Sequence, residues 1–415
     1  MASPTPQLGF REVLSIRPVR RLWIAQLVSI FGDFLAVFAV FSVVTFRLHG
    51  TPTQVSMILV AYLLPMAIIS PFAGVFVDKW NVQWTMIASD VIRGILVLAL
   101  LFVQHDLWAI YAIFCALSTV STFFMPAQSV AVRALAPATG LLAVNALMTQ
   151  AIQGSQIISP AIAGLLVQGI GANSCFLFDS FSFFFSAGMV LTLTIQRQRT
   201  AGAPAGASSL LASMREGFRF IFTHGAISFV MIAMTAGMFA VRCFGALLSV
   251  YVRDVLTSTA ALFGILNSLI GFGMIAGTQS LHRFARHIPQ QNLVIYGLSG
   301  MGVSVFVTAI FGKVITTAIG MLALGFCAAF IMVTSQTLIQ RETPHELLGR
   351  VSSSLMSVLA ISQVLAMFVA GPVAQQAGIR NLYFGSAAML AIIGVVGYRK
   401  LQGQKPAEAA TAAEA

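Results

Sequence analysis

The stretch VITTAIGMLALGFCAAFIMVTSQTL, residues 314–338, runs from Lys313 towards Arg341 without one charged side chain. A helix rises about 1.5 Å per residue, so this stretch is long enough to cross a hydrocarbon core of about 30 Å. In lipid every backbone N–H and C=O must find its partner within the segment, and an α-helix does that. Eleven more runs of the same kind flank it, at 22–46, 53–77, 84–103, 107–128, 141–168, 173–195, 226–251, 259–281, 291–311, 351–373 and 381–399. The expected fold is an all-α membrane protein with twelve transmembrane helices in two pseudo-symmetric six-helix bundles. The run 141–168 is the most polar, because Gln150, Gln153, Ser155 and Gln156 interrupt it. Amides at such depth face a bundle interior or a cavity.

The composition agrees. The chain is 58% hydrophobic and 8% charged, whereas soluble domains carry about 25% charged residues. The net charge of +11 does not indicate nucleic acid, since the basic residues sit in short gaps between apolar runs and form no stripe interleaved with stacking aromatics. They report topology instead. With the N-terminus inside, only Arg47, Arg253, Lys313 and Arg380 fall in outside loops and only Arg93 and Arg242 in spans. All other Lys and Arg lie inside, which places both termini in the cytoplasm of a multi-pass protein. No cleavable signal peptide is expected ahead of the first span. Cys115, Cys175, Cys243 and Cys327 form no metal or redox pattern and read as small packing residues. No metal or cofactor is expected.

The longest polar interruption, Gln196 to Arg219, contains TAGAPAGAS over 200–208, a flexible linker by composition. After it, Leu210, Leu211, Met214, Phe218 and Ile221 share one helical face, the pattern of an amphipathic helix on the membrane surface. The expected organisation is a bundle over 1–195, a cytoplasmic linker over 196–225, a second bundle over 226–403 and a disordered tail over 404–415. The halves share a local pattern. Pro137 to Val144 aligns with Pro344 to Val351 at one constant offset, and Pro160 and Pro372 correspond further on. Repeated six-span halves are the plan of a transporter with its site between them near the midplane.

Between spans two and three the chain reads Gly74-Val-Phe-Val-Asp78-Lys79-Trp80. This resembles the loop 2–3 motif of the major facilitator superfamily, with Asn81 and Gln83 where that motif continues with arginine. The matching place in the second half, Gly277 to Arg283, keeps the Gly and a base but lacks the Asp. Phe31-Gly32-Asp33, Ser89-Asp90-Val-Ile-Arg93, Phe178-Asp179-Ser-Phe-Ser-Phe183 and Gln340-Arg341-Glu342 with Leu348-Gly349-Arg350-Val351 resemble its drug:proton antiporter branch, which includes macrolide efflux proteins and the enterobactin exporter. The resemblance implies a monomeric transporter in the bacterial cytoplasmic membrane. It also implies that Asp78, with Gly74 and Lys79, latches against the start of span eleven near Gly349 and Arg350. A helix N-terminus attracts an acid, which is the physical reason. Arg133, at the end of span four, joins this gating group.

Ionisable groups inside a bilayer cost roughly 2.5–3.5 kcal/mol each at a helix centre, so each needs a reason. Asp33 lies near the middle of span one. A carboxyl held there can load and release a proton, which makes it the expected proton-coupling residue. The competing reading is a carboxylate hydrogen-bonded to a neighbouring helix. Arg242, in the middle of span seven, pairs with Asp33, attracts an anionic substrate or forms a fixed ion pair. Asp90 and Arg93, three apart on one helical face, read first as a structural pair. Asp179 is either structural or part of the substrate path. Gln150 and Gln153 recur with Gln156 at three-residue spacing and are expected substrate contacts. Phe181, Phe183, Phe184 and Phe185 read as lipid-facing or packing bulk.

Enzymatic motifs are missing. Gly312-Lys313-Val314 is no phosphate loop, and His345-Glu346-Leu-Leu-Gly349 lacks the second histidine of a zinc protease. A membrane-embedded enzyme would cluster its groups at one depth, and a sensor would carry a soluble domain; both remain distant alternatives. The expected function is proton-coupled export of small amphiphilic molecules by alternating access. Movement of a siderophore, lipid or other metabolite in the same fold is the alternative.

Overall fold

The computed structural model describes residues 8–195, 215, 219–284 and 288–413. The described residues form helices and no strand. After a short helix, Phe10–Ser15, come α1 (Arg17–Ser42, continued by the π-helical Val43–Arg47), α2 (Pro52–Val77), α3 (Val82–Val103), α4 (Leu107–Leu135), α5 (Leu141–Gly169) and α6 (Ala172–Leu191). There follow α7 (Gly225–Asp254), α8 (Ala260–Phe284), α9 (Gln290–Phe311), α10 (Val314–Glu342), α11 (His345–Ala377) and α12 (Ile379–Ala413). Eleven of these twelve are long and apolar enough to cross a membrane. The exception is α5, whose 29 residues reach far enough but are diluted by Gln150, Gln153 and Gln156. The chain is a multi-pass membrane protein.

Local chemistry sets the helix ends. Thr51 and Gln54 form a capping box at α2, with Pro52 in its first turn. Asn81 accepts from the Trp84 N–H at the start of α3, and Asp106 accepts from the Trp108 N–H at α4. Gly312 closes α9 in the left-handed region at φ 55°, where a Cβ would be strained. Two boundaries differ from the sequence expectation. Helix α11 begins at His345, directly after Pro344, so Arg350 lies more than a turn inside it and not at its first residue. Proline has no N–H to lose there, and its fixed φ favours helix entry. Helix α12 runs to Ala413, through residues 404–413 where a disordered tail was expected, because Ala, Glu, Gln and Lys there are good helix formers. The linker and its expected amphipathic helix lie almost wholly outside the described residues.

The chain divides into two compact units, residues 1–204 with 258–268, and residues 205–257 with 269–415. The start of α8, assigned from the sequence to the second half, packs with the first unit, where Phe263 meets Phe38 at 5.4 Å between ring centroids. At one end of the first unit, Leu22, Val82, Met86, Phe124, Ala131, Leu147 and Val190 form a buried core.

In the second unit Phe244 stacks on Tyr383 at 4.3 Å, and the Tyr251 hydroxyl donates to the Thr308 carbonyl at 2.7 Å. Helices α8 and α10 approach at backbone distance, because a Cβ at Gly325 would strike the Ile270 carbonyl and one at Gly273 the Leu322 carbonyl. Small residues at such crossings are how membrane helices gain contact without a hydrophobic driving force. Gly325→Leu is therefore expected to cost about 1–3 kcal/mol and to lower the thermal midpoint of the detergent-solubilised protein. Gly349→Ala, at a position with no neighbouring atom within 4 Å, is the comparison that should leave it unchanged.

Candidate functional site

The in-membrane charges of the first unit converge on one side chain. Helices α1 and α3 both pack against α6. Arg93 on α3 is 6% exposed and reaches two acids. Its Nη2 is paired with Asp90 Oδ1 one turn back, and its Nη1 lies 3.8 Å from Asp33 Oδ2 on α1. Its Nε donates to the Ser89 carbonyl at 3.4 Å. The guanidinium sits between two rings, 4.4 Å from the Phe124 centroid and 4.3 Å from that of Phe183. Planar guanidinium with its fork of donors suits this slot, as an ammonium would not.

The three acids differ in access. Asp90 is wholly buried, whereas Asp33 is 36% exposed. Asp179 on α6 is buried and accepts from the Ser182 hydroxyl at 3.3 Å. Its carboxylate feels the charges of both Asp33 and Arg93. Helices α1 and α6 come this close because residue 32 is glycine: a Cβ there would overlap Asp179 Oδ1 and the Ser182 hydroxyl. Tyr62 on α2 also lies in the field of Asp33, Arg93 and Asp179. Buried charge is tolerated when it is paired and hydrogen-bonded. One guanidinium against three carboxyls leaves this cluster short of positive charge, which protons can supply. Asp33 is the most exposed of the three acids. Gly32→Val is expected to push α1 off α6 and abolish gradient-driven transport. Gly154→Val, where nothing lies within 4 Å of the added Cβ, is expected to keep it.

The remaining sites spread out. Arg242, exposed on α7, belongs to the second unit, and the partner that the first unit provides for Asp33 is Arg93. Gln150, Gln153 and Gln156 are all exposed along α5. Asp78 closes the C-terminus of α2 through its N–H to the Gly74 carbonyl at 2.9 Å, and it and Lys79 are exposed. A Cβ at Gly74 would meet nothing within 4 Å. Arg133 is exposed in the last turn of α4, where the negative helix end favours a cation. Arg350 is half-buried within α11. No group of acids, histidines and cysteines among the described residues is arranged to hold a metal ion.

Sequence reasoning missed Phe124, Tyr62 and the particular role of Phe183. Phe183 is fully buried against Arg93, while Phe181, two residues earlier, is 63% exposed. The alternation was available as a signal: Ser180 and Ser182 mark the inward face of α6, and Phe183 follows them round it.

Comparison with known proteins carries the site to a family. A Bacillus subtilis protein described as the uncharacterized MFS-type transporter YfiS is 24% identical over 399 residues, 92% of each chain. Macrolide efflux protein A of Streptococcus pyogenes is 22% identical, over 90% of this chain and 94% of that one. The multidrug efflux pump Tap of Mycolicibacterium fortuitum is 22% identical, over 84% and 87%. Among solved structures, the nucleoside transporter NupG superposes with a TM-score of 0.75 at 12% identity, over 92% of this chain and 98% of that one. A bacterial homologue of the iron transporter ferroportin gives 0.72 at 14% identity, over 92% and 98%. At such identity these structures bear on the fold alone. These relatives are transporters, not enzymes, and the family model described as Major Facilitator Superfamily matches residues 22–367. The chain, a helical membrane transporter resembling the macrolide efflux proteins, belongs to the major facilitator superfamily.

Proposed function

We propose that this protein exports small amphiphilic molecules across the bacterial cytoplasmic membrane in exchange for protons. It does so as a monomer with both termini in the cytoplasm. The observation that carries the reading is the Arg93-centred acid cluster, in helices otherwise almost free of charge, with Asp33 at its accessible edge. In the cycle, ionised Asp33 shares Arg93 with Asp90. Protonated Asp33 gives up its claim, and Arg93 turns fully to Asp90. That moves charge between α1 and α3, the kind of local change that biases a two-state bundle.

The names of the efflux relatives support an outward direction and an apolar or amphiphilic cargo. Few in-membrane acids are present, which disfavours a strongly polycationic cargo. Gln150, Gln153, Asp179 and Arg242 are the proposed substrate and charge-pair contacts. Gly74, Asp78, Lys79, Arg133 and Arg350 are the proposed gate. The two six-helix bundles, joined by the cytoplasmic linker, are the bodies that rock.

The test uses purified protein in liposomes, an imposed pH gradient and a fluorescent amphiphile such as ethidium. Movement that follows the gradient and reverses with it supports the proposal. Movement indifferent to the gradient leaves a transporter without proton coupling. Accumulation only in the direction opposite to the proton-exchange flux makes the protein an importer.

A further inference from the structure

The turn between α2 and α3, together with α3 and α4, lines an open groove of about 620 Å³ that shares only Lys79 with the proposed gate. We propose that it is a binding site for an anionic phospholipid, held by its phosphate at Lys79 and by an acyl chain laid along α3.

The polarity of the lining runs in one direction. At the helix end stand Lys79 and Asn81, next come Trp80 and Trp84, and further along lie Ile92 and Val120. From Asn81 to Ile92 the groove follows α3 for about 16 Å, at about 1.5 Å per residue. That is roughly half of a hydrocarbon core about 30 Å thick, the depth of one leaflet. A molecule that fills it has a charged end at the bilayer surface and an apolar end at the midplane.

Trp80 and Trp84 are 47% and 62% exposed, so they are not core residues. They stand at the level where amphipathic rings settle between headgroups and chains. Trp80 is held by Phe76 and Phe123, at 5.8 and 5.5 Å between centroids. Among the described residues of the lining, Lys79 carries the charge. The sign of the charge selects an anionic headgroup over a zwitterionic one. The N-terminus of α3 adds to it, since the Asn81 side chain occupies only the Trp84 N–H.

The test reads lipid contact directly. In the full chain carrying Trp23→Phe and Trp108→Phe, the remaining indoles are Trp80 and Trp84. Reconstituted in vesicles, brominated phosphatidylglycerol is expected to quench them with about fivefold higher apparent affinity than brominated phosphatidylcholine, the worth of one lysine at an anionic surface. Lys79→Gln is expected to bring the two lipids to parity, and Ala88→Phe to fill the groove and weaken both. As a second measurement, native mass spectrometry of the unsubstituted chain from mixed lipid should retain phosphatidylglycerol, and Lys79→Gln should release it. Equal quenching by both lipids in the Lys79 protein would overturn the proposal, as would a preference that survives both substitutions. Displacement of lipid by ethidium at parity of headgroups would assign the groove to the transported molecule instead, and also overturns it.

Discussion

Replacing Arg93 with methionine should remove most of the folded protein from a detergent extract, a larger loss than for any other single change in the membrane charges. The substitution leaves Asp90 wholly buried, with its ion partner gone, and Asp33 without a counter-charge in the first unit. Breaking a buried pair from one side costs about 3–5 kcal/mol, because the surviving charge keeps its desolvation penalty. Loss of the guanidinium from between Phe124 and Phe183 adds up to about 2 kcal/mol at a desolvated site. Total stabilities of about 5–15 kcal/mol leave little margin for that. Two companions show whether charge is the cause. Arg93→Lys keeps the charge but loses the fork, and should fall between wild type and methionine. Adding Asp90→Asn to Arg93→Met removes the stranded charge and should recover part of the loss, a coupling that a double-mutant cycle measures. Fluorescence-detected size exclusion after a heating series gives the midpoints. An Arg93→Met protein as stable as wild type would show that the cluster carries no structural charge debt.

Asp33→Asn is expected to give the opposite signature: a folded protein whose gradient-driven transport falls to that of empty vesicles. Asp33 meets Arg93 only at 3.8 Å and is 36% exposed, and an accessible ion pair is worth about 0–1 kcal/mol. The thermal midpoint should therefore barely move. What disappears is the group proposed to exchange protons at the accessible edge of the cluster. The variant should still bind ethidium and let it equilibrate down its own gradient, with no response to an imposed pH difference. Wild-type behaviour in the same vesicles would shift the coupling role to Asp179 or Asp90, each tested by its own asparagine. The contrast between the two substitutions separates a residue that holds the bundle from one that works within it.

Much of this was readable from composition and spacing. Twelve long apolar runs give twelve helices, and the amides that make the fifth the most polar are why α5 alone falls short on apolarity. The i, i+3 spacing of Asp90 and Arg93 gave their pairing directly. The link from Arg93 to Asp33 was not readable; the sequence offered Arg242 as one candidate partner for Asp33, beside a role in attracting an anionic substrate or in a fixed ion pair. Residues on different helices meet only through the rotation and crossing of those helices, which no one-dimensional period records.

The same division explains the rest. A bilayer offers no water to an unpaired backbone, so the order of residues alone dictates that each long uncharged run is a helix, and the isolated charges within those runs mark themselves as costly and purposeful. Which charge answers which is a matter of helix packing. Only the close approach of α1 to α6 at Gly32, and the turning of Phe183 inward while Phe181 faces out, placed one arginine among three acids.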